Sequence, residues 1–241
     1  MLFADARALV LAVAIGLIAA CSTSPEKNSD KALDDLDYLT QLGLMRGHLY
    51  VGKSLYDERF SAAAKTHMKH PKSELYANLE PALLARGNVG FASELEQLAS
   101  AVEQDKPSAT VDETYEQLLR AIIVAEQAAP AYPNAHLQFQ RVAALLYTAA
   151  DEYGEGIVDG VTTMPHEYQD AYGFTEVAKQ VLKSINANPG SKTNAAVDHA
   201  LQQINTLGAA WPSLVPPPHV SFDSDQIAKV ARVVEDLADS L

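Results

Sequence analysis

The chain has 241 residues, with 18 Lys and Arg against 31 Asp and Glu, a formal net charge of −13 and one Cys; 48% of it is hydrophobic and only 7% aromatic. That charge repels phosphate backbones and argues against nucleic-acid binding. One cysteine excludes a disulfide framework and a thiolate zinc cluster, and so high an apolar content excludes a disordered acidic tail.

Residues 1–20 carry Asp5 and Arg7 and are otherwise apolar or small, with an unbroken run from Ala8 to Ala20. A short apolar run that closes on small residues reads as an export signal peptide, and it has no polar face to show to water as an amphipathic helix would. The tetrad Ile18-Ala19-Ala20-Cys21 resembles the lipobox of bacterial lipoproteins. That resemblance implies that Cys21 is acylated and becomes the mature N-terminus. Ser22 in place of Asp implies sorting to the outer membrane, facing the periplasm. Residues 21–31 are then the lipidated cysteine and a polar, Pro-containing tether.

The body, residues 32–241, reads as all-α: one antiparallel bundle of about eight or nine helices, with possible sub-halves 32–129 and 134–241. From Ala32 to about Tyr56, Leu42, Met45, Leu49, Gly52 and Tyr56 recur at three- and four-residue steps, which sets them on one helical face. Gly43 and Gly47 lie one turn apart there and leave room for a neighbour. A helix over Phe60 to His70 follows, then one opened by Pro71, which suits a first turn, and stopped by Gly87. Phe91, Leu95, Leu98 and Val102 mark an amphipathic helix over 91–104. Thr110-Val-Asp-Glu113 resembles a capping box opening a helix to about Ala129, which Pro130 and Pro133 end. Helices are expected from Asn134 to Ile157, from Pro165 to about Asn188, from Thr193 to Leu207 and from Ser224 to Leu241. The Pro-rich stretch near 211–219 reads as an extended strap held by Trp211 and Leu214. No run of alternating β-branched residues predicts a strand.

Two segments carry candidate chemistry. Arg46-Gly-His48 is followed by His67, His70 and Glu74. His67 and His70 are three apart and share a helix side. If the first two helices fold back on one another, His48 faces them, and three imidazoles with a carboxylate make a ligand set for iron or copper ahead of zinc. Against this stands a plain surface role, with Glu74 complementing a helix dipole. The second segment holds Glu152 and Glu155, an Asp159-Gly160 turn, and His166-Glu167. Acids from both arms of a helical hairpin then gather near its tip, as secondary candidates for a hard cation or as a solvated acidic turn.

The run from Tyr153 to Asp170 resembles the extracytoplasmic helical region of bacterial relatives of high-affinity iron permeases, on Tyr153, Asp159, Gly160, Glu167, Tyr168 and Asp170. The resemblance implies a helical module of the iron-uptake or metal-handling kind. No Gly-x-Ser-x-Gly, His-Glu-x-x-His or Cys/His pair points to an enzyme. The expected function is therefore a lipid-anchored periplasmic protein that binds iron or copper, delivers or senses it, and works with a membrane metal transporter. The alternative is an envelope scaffold whose histidines are incidental.

Overall fold

A computed structural model of the chain describes residues 34–241, except for the side chains of His70, Ser73 and Glu74. The expected signal peptide, Cys21 and the tether lie outside the described residues. Helix α1 (Asp35–Asp57) is opened by Asp34, whose carboxylate accepts a hydrogen bond from the Asp37 amide at 2.8 Å, satisfying one of the amides that helix geometry leaves unpaired. Its buried stripe includes Leu42, Met45, Leu49, Gly52 and Tyr56, the face that the spacing predicts. It ends in a turn where the Phe60 amide donates to the Leu55 carbonyl at 2.8 Å and Arg59 takes φ 69°.

Helix α2 (Ser61–His70) does not stop at Pro71. It passes through a π-helical segment, Pro71–Tyr76, into α3 (Ala77–Ala85), and Pro71 has helical dihedrals of −55° and −39°. The sequence expectation of a new helix at Pro71 is corrected accordingly. Proline has no amide proton to donate and its ring crowds the preceding turn, and the wider i→i+5 turn tolerates both. Gly87, at φ 72°, ends the run. Helices α4 (Ala92–Glu103) and α5 (Ser108–Gln127) follow. Thr110 caps nothing: α5 begins at Ser108 behind Pro107, and the Thr110 carbonyl accepts a bond from Thr114 Oγ1.

Helix α6 (Ala135–Gly156) is capped by Asn134. It leads into a short hairpin, β1 (Ile157–Val158) and β2 (Val161–Thr162), where the sequence predicts a turn but no strands. The Asp159-Gly160 pair takes φ of 52° and 74°, the doubly left-handed turn that two-residue hairpins favour and Asp-Gly supplies. Helix α7 (Pro165–Ser184) stops four residues before the expected Asn188, because Ile185 is already extended. Helix α8 (Lys192–Asn205), a 3₁₀ turn (Thr206–Ala210) and α9 (Ser224–Ser240) complete an all-α bundle of nine α-helices among the described residues. None of them is long and apolar enough to cross a membrane.

Burial gathers in two apolar clusters. One is built mainly by α6–α9, the other mainly by α1–α5. Helix α1 packs against both α6 and α7. The crossing with α7 is backbone-close: a Cβ on Gly47 would fall 2.3 Å from Phe174 Cδ1, and one on Gly173 would fall 2.4 Å from the Gly47 carbonyl oxygen. The strap is pinned to the start of α7. Trp211 Nε1 donates to the Tyr168 carbonyl at 3.0 Å, Tyr168 Oη donates to the Ser213 carbonyl at 2.8 Å, and Leu214 is buried.

Candidate metal centre

The Gly47–Gly173 contact decides what its neighbours meet. His48 is carried against α7 from α1, and His67 arrives from the last turn of α2. Both point at Asp170, in the second turn of α7. His48 Nδ1 donates to Asp170 Oδ1 at 2.6 Å, and His67 Nδ1 donates to the same oxygen at 3.0 Å. The three residues are 8%, 0% and 1% exposed, so the charges sit in a low-dielectric pocket where each interaction is strengthened. The edge of the His48 ring is set by Phe174, 5.1 Å away and nearly perpendicular.

Gln169 fixes the other side of His67. Its amide nitrogen donates to the Leu214 carbonyl at 3.2 Å, so its oxygen is the atom that faces His67 Nε2, at 2.9 Å. A carbonyl oxygen only accepts, so Nε2 bears a proton. With Nδ1 facing the Asp170 carboxylate as well, the surroundings of His67 favour the protonated ring. Burial would lower its pKa, but the hydrogen bond and charge of Asp170, helped by Gln169 and Glu167, raise it above the ordinary value. Burial likewise works against the Asp170 carboxylate, and His48 and His67 overcome it, holding that group well below the usual range.

One oxygen of Asp170 and one nitrogen from each imidazole lie within 4.8 Å of one another. Adjacent donors on an ion with bonds near 2.1 Å stand about 3 Å apart, so the spacing suits a transition metal. Two imidazoles and a carboxylate form the donor set associated with iron(II), and imidazole also suits copper. If an ion replaces the two Nδ1 protons, Gln169 keeps its bond to Nε2–H and orients the ring from behind, as metal-binding histidines commonly require.

A second group lies at the other end of the same stretch of α7. Glu152 and Glu155, in the last turns of α6, and Glu167, in the first turn of α7, bring carboxylate oxygens within 4.8 Å. Burial and the nearby Glu167 push the Glu152 carboxyl up to about 8, with Asp170 and Glu155 adding. Glu155 is exposed and the other two are half-buried. His166 stands at the margin, its Nε2 2.9 Å from Glu167 Oε1.

The structure thus brings His48 and His67 together, and Glu152, Glu155 and Glu167 together. The side chains of His70 and Glu74 lie outside the described residues. Asp170 and Gln169 were not among the expected ligands, although Asp170 was one of the positions that carried the permease resemblance. A polar pair between buried Tyr168 and Ala171 was the available signal.

Comparison with known families bears on one part of the chain. Residues 128–241 match the model described as the iron permease-associated 4-helix bundle domain. That stretch holds α6–α9 and includes the Tyr153–Asp170 run. No curated protein and no solved structure matches the chain. Asp170, Gln169 and the three glutamates fall inside the matched region; His48 and His67 fall outside it.

Proposed function

We propose that this chain is a lipid-anchored envelope protein that binds iron at His48, His67 and Asp170 and hands it to, or senses it for, a membrane metal transporter. One observation carries the reading: two imidazoles from α1 and α2 converge on a single buried carboxylate of the iron permease-associated bundle. Soft thiolates take no part, which disfavours copper(I), and the mixed nitrogen–oxygen set favours iron(II), with copper(II) next and zinc behind. The glutamates Glu152, Glu155 and Glu167, with His166 beside them, supply a hard, partly exposed oxygen face on the same helix, suited to receiving a hydrated cation before it is stripped of water. Acylation of Cys21 would hold the body at the outer membrane, facing the periplasm.

Titration of the detergent-solubilised full chain with Fe(II), Cu(II) and Zn(II) by calorimetry tests the ion. Expected is one equivalent of Fe(II) bound with Kd below about 10 µM, lost in both His67→Ala and Asp170→Asn. Binding no tighter than tens of micromolar and indifferent to those changes sinks the reading. Mass spectrometry of the mature N-terminus tests the anchor, which Cys21→Ser should abolish along with membrane fractionation. The alternative, an envelope scaffold, draws on the fact that the His48–Asp170–His67 bonds also join three helices without an ion. It predicts that Asp170→Asn weakens folding and leaves metal affinity unchanged.

A further inference from the structure

Behind His67 opens a cleft of about 640 Å³, between the α1–α2 turn, the start of α7 and the strap. Its volume is that of a small-molecule site. Its floor is the buried His67–Gln169 pair. Two of the larger exposed apolar side chains of the described residues, Phe60 and Val215, form its walls. Among the described residues, no carboxylate lines it, in a chain with 31 of them.

Arg59 is the cation at its rim. It occupies the position after the end of α1, with φ 69°, where glycine is the usual residue because a Cβ in that conformation is strained. A side chain kept at such a position costs stability, and its guanidinium makes no ion pair with the described residues. Two helix starts open on the same space. Ser61, Ala62 and Ala63 begin α2 and Pro165 and His166 begin α7, and neither helix has a side-chain cap. Uncapped amides at helix N-termini favour negative charge. His166 is bonded to Glu167 and adds little to that field.

We propose that this cleft binds a small organic carboxylate with an apolar body, its carboxylate held by the planar fork of Arg59 and its body lying against Phe60 and Val215. The site does not require an ion at the metal centre, so either reading can stand without the other.

Benzoate is the minimal probe, and benzamide is the same shape without the charge. Calorimetry or ligand-observed NMR on the full chain should show benzoate binding with Kd near or below about 1 mM and benzamide binding at least ten-fold weaker. Arg59→Gln should weaken benzoate at least ten-fold. Arg59→Gly should do the same while raising Tm, because it relieves the left-handed backbone, and Fe(II) affinity should not change in either variant. The proposal is overturned if benzoate does not bind, if benzamide binds equally well, or if Arg59→Gly leaves benzoate affinity intact. Loss of Fe(II) binding in His67→Ala with benzoate still bound in the wild type would bear on the metal centre alone.

Discussion

Helix α1 presents two basic side chains two residues apart, and each meets a buried carboxylate flanked by a second base. Arg46 and Arg141 clasp Glu126, which is 1% exposed; His48 and His67 clasp Asp170. The plan is the same, and the chemistry differs in one respect. Guanidinium keeps its proton under all ordinary conditions and has no lone pair to give. Imidazole can lose its proton and become a ligand. The first cluster ties α1, α5 and α6 together, with Arg46 also donating to Gln180 of α7, and its two bases cannot become metal ligands. The second makes a similar tie and can exchange its protons for a metal ion.

The sharpest way to break this contrast is to remove each carboxylate. Glu126→Ala strands two buried guanidiniums that cannot neutralise, and should cost about 3–5 kcal/mol in urea unfolding, without altering Fe(II) affinity in the folded fraction. Asp170→Asn should cost less, about 1–3 kcal/mol, because the imidazoles it leaves can shed their protons. It should abolish Fe(II) binding. Equal losses of stability, or retained Fe(II) binding in Asp170→Asn, would remove the distinction between the clusters.

How much of this was legible in the sequence depends on distance along the chain. The buried stripe of α1, the stop at Gly87, the Asp159-Gly160 turn and the pinning of the strap by Trp211 and Leu214 follow from local rules of period and turn chemistry. Pro71 and Thr110 show those rules overruled: a π-turn absorbs the proline, and Pro107 starts α5 ahead of the threonine. His48 and His67 were readable as ligand types. Their partner was not, since Asp170 lies 122 and 103 residues away and meets them only through the α1–α7 crossing. Gly47 hinted at that close approach, but no period in the sequence names which helix arrives there.

The pH dependence of metal-free stability separates the clusters next. Glu126 and Asp170 have depressed pKa values, Glu126 because Arg141 and Arg46 outweigh its burial. Each therefore contributes stability that is present above the ordinary carboxylate pKa and lost as pH falls through the depressed value. His67 is raised: its contribution is present below the ordinary histidine pKa and lost as pH rises through the raised one. Tm measured from pH 3 to 9 should thus fall at both ends. His67→Ala should flatten the alkaline limb and leave the acid limb that Glu126 maintains. An alkaline limb unchanged in that variant would show that His67 is not the protonated partner the geometry requires.

The smallest effect belongs to Glu152, whose carboxyl is pushed up to about 8 by burial and by Glu167 but sits in a partly exposed cluster where solvent screens the repulsion. A carboxyl raised on folding is linked with the opposite sign to Glu126: it holds a proton that the unfolded chain has already lost, so stability declines as pH climbs from the ordinary carboxylate value toward 8 and then levels off. Glu152→Gln keeps the shape and removes the titration, so its Tm should match the wild type near pH 4 and exceed it at pH 9. An added divalent cation bridging the three glutamates would cancel that advantage, by holding Glu152 ionised against its neighbours. If millimolar Ca²⁺ or Mn²⁺ leaves the difference at pH 9 untouched, the carboxylates on α6 and α7 repel one another without serving as an entry face for ions, and the metal chemistry of α7 contracts to Asp170 and its two histidines.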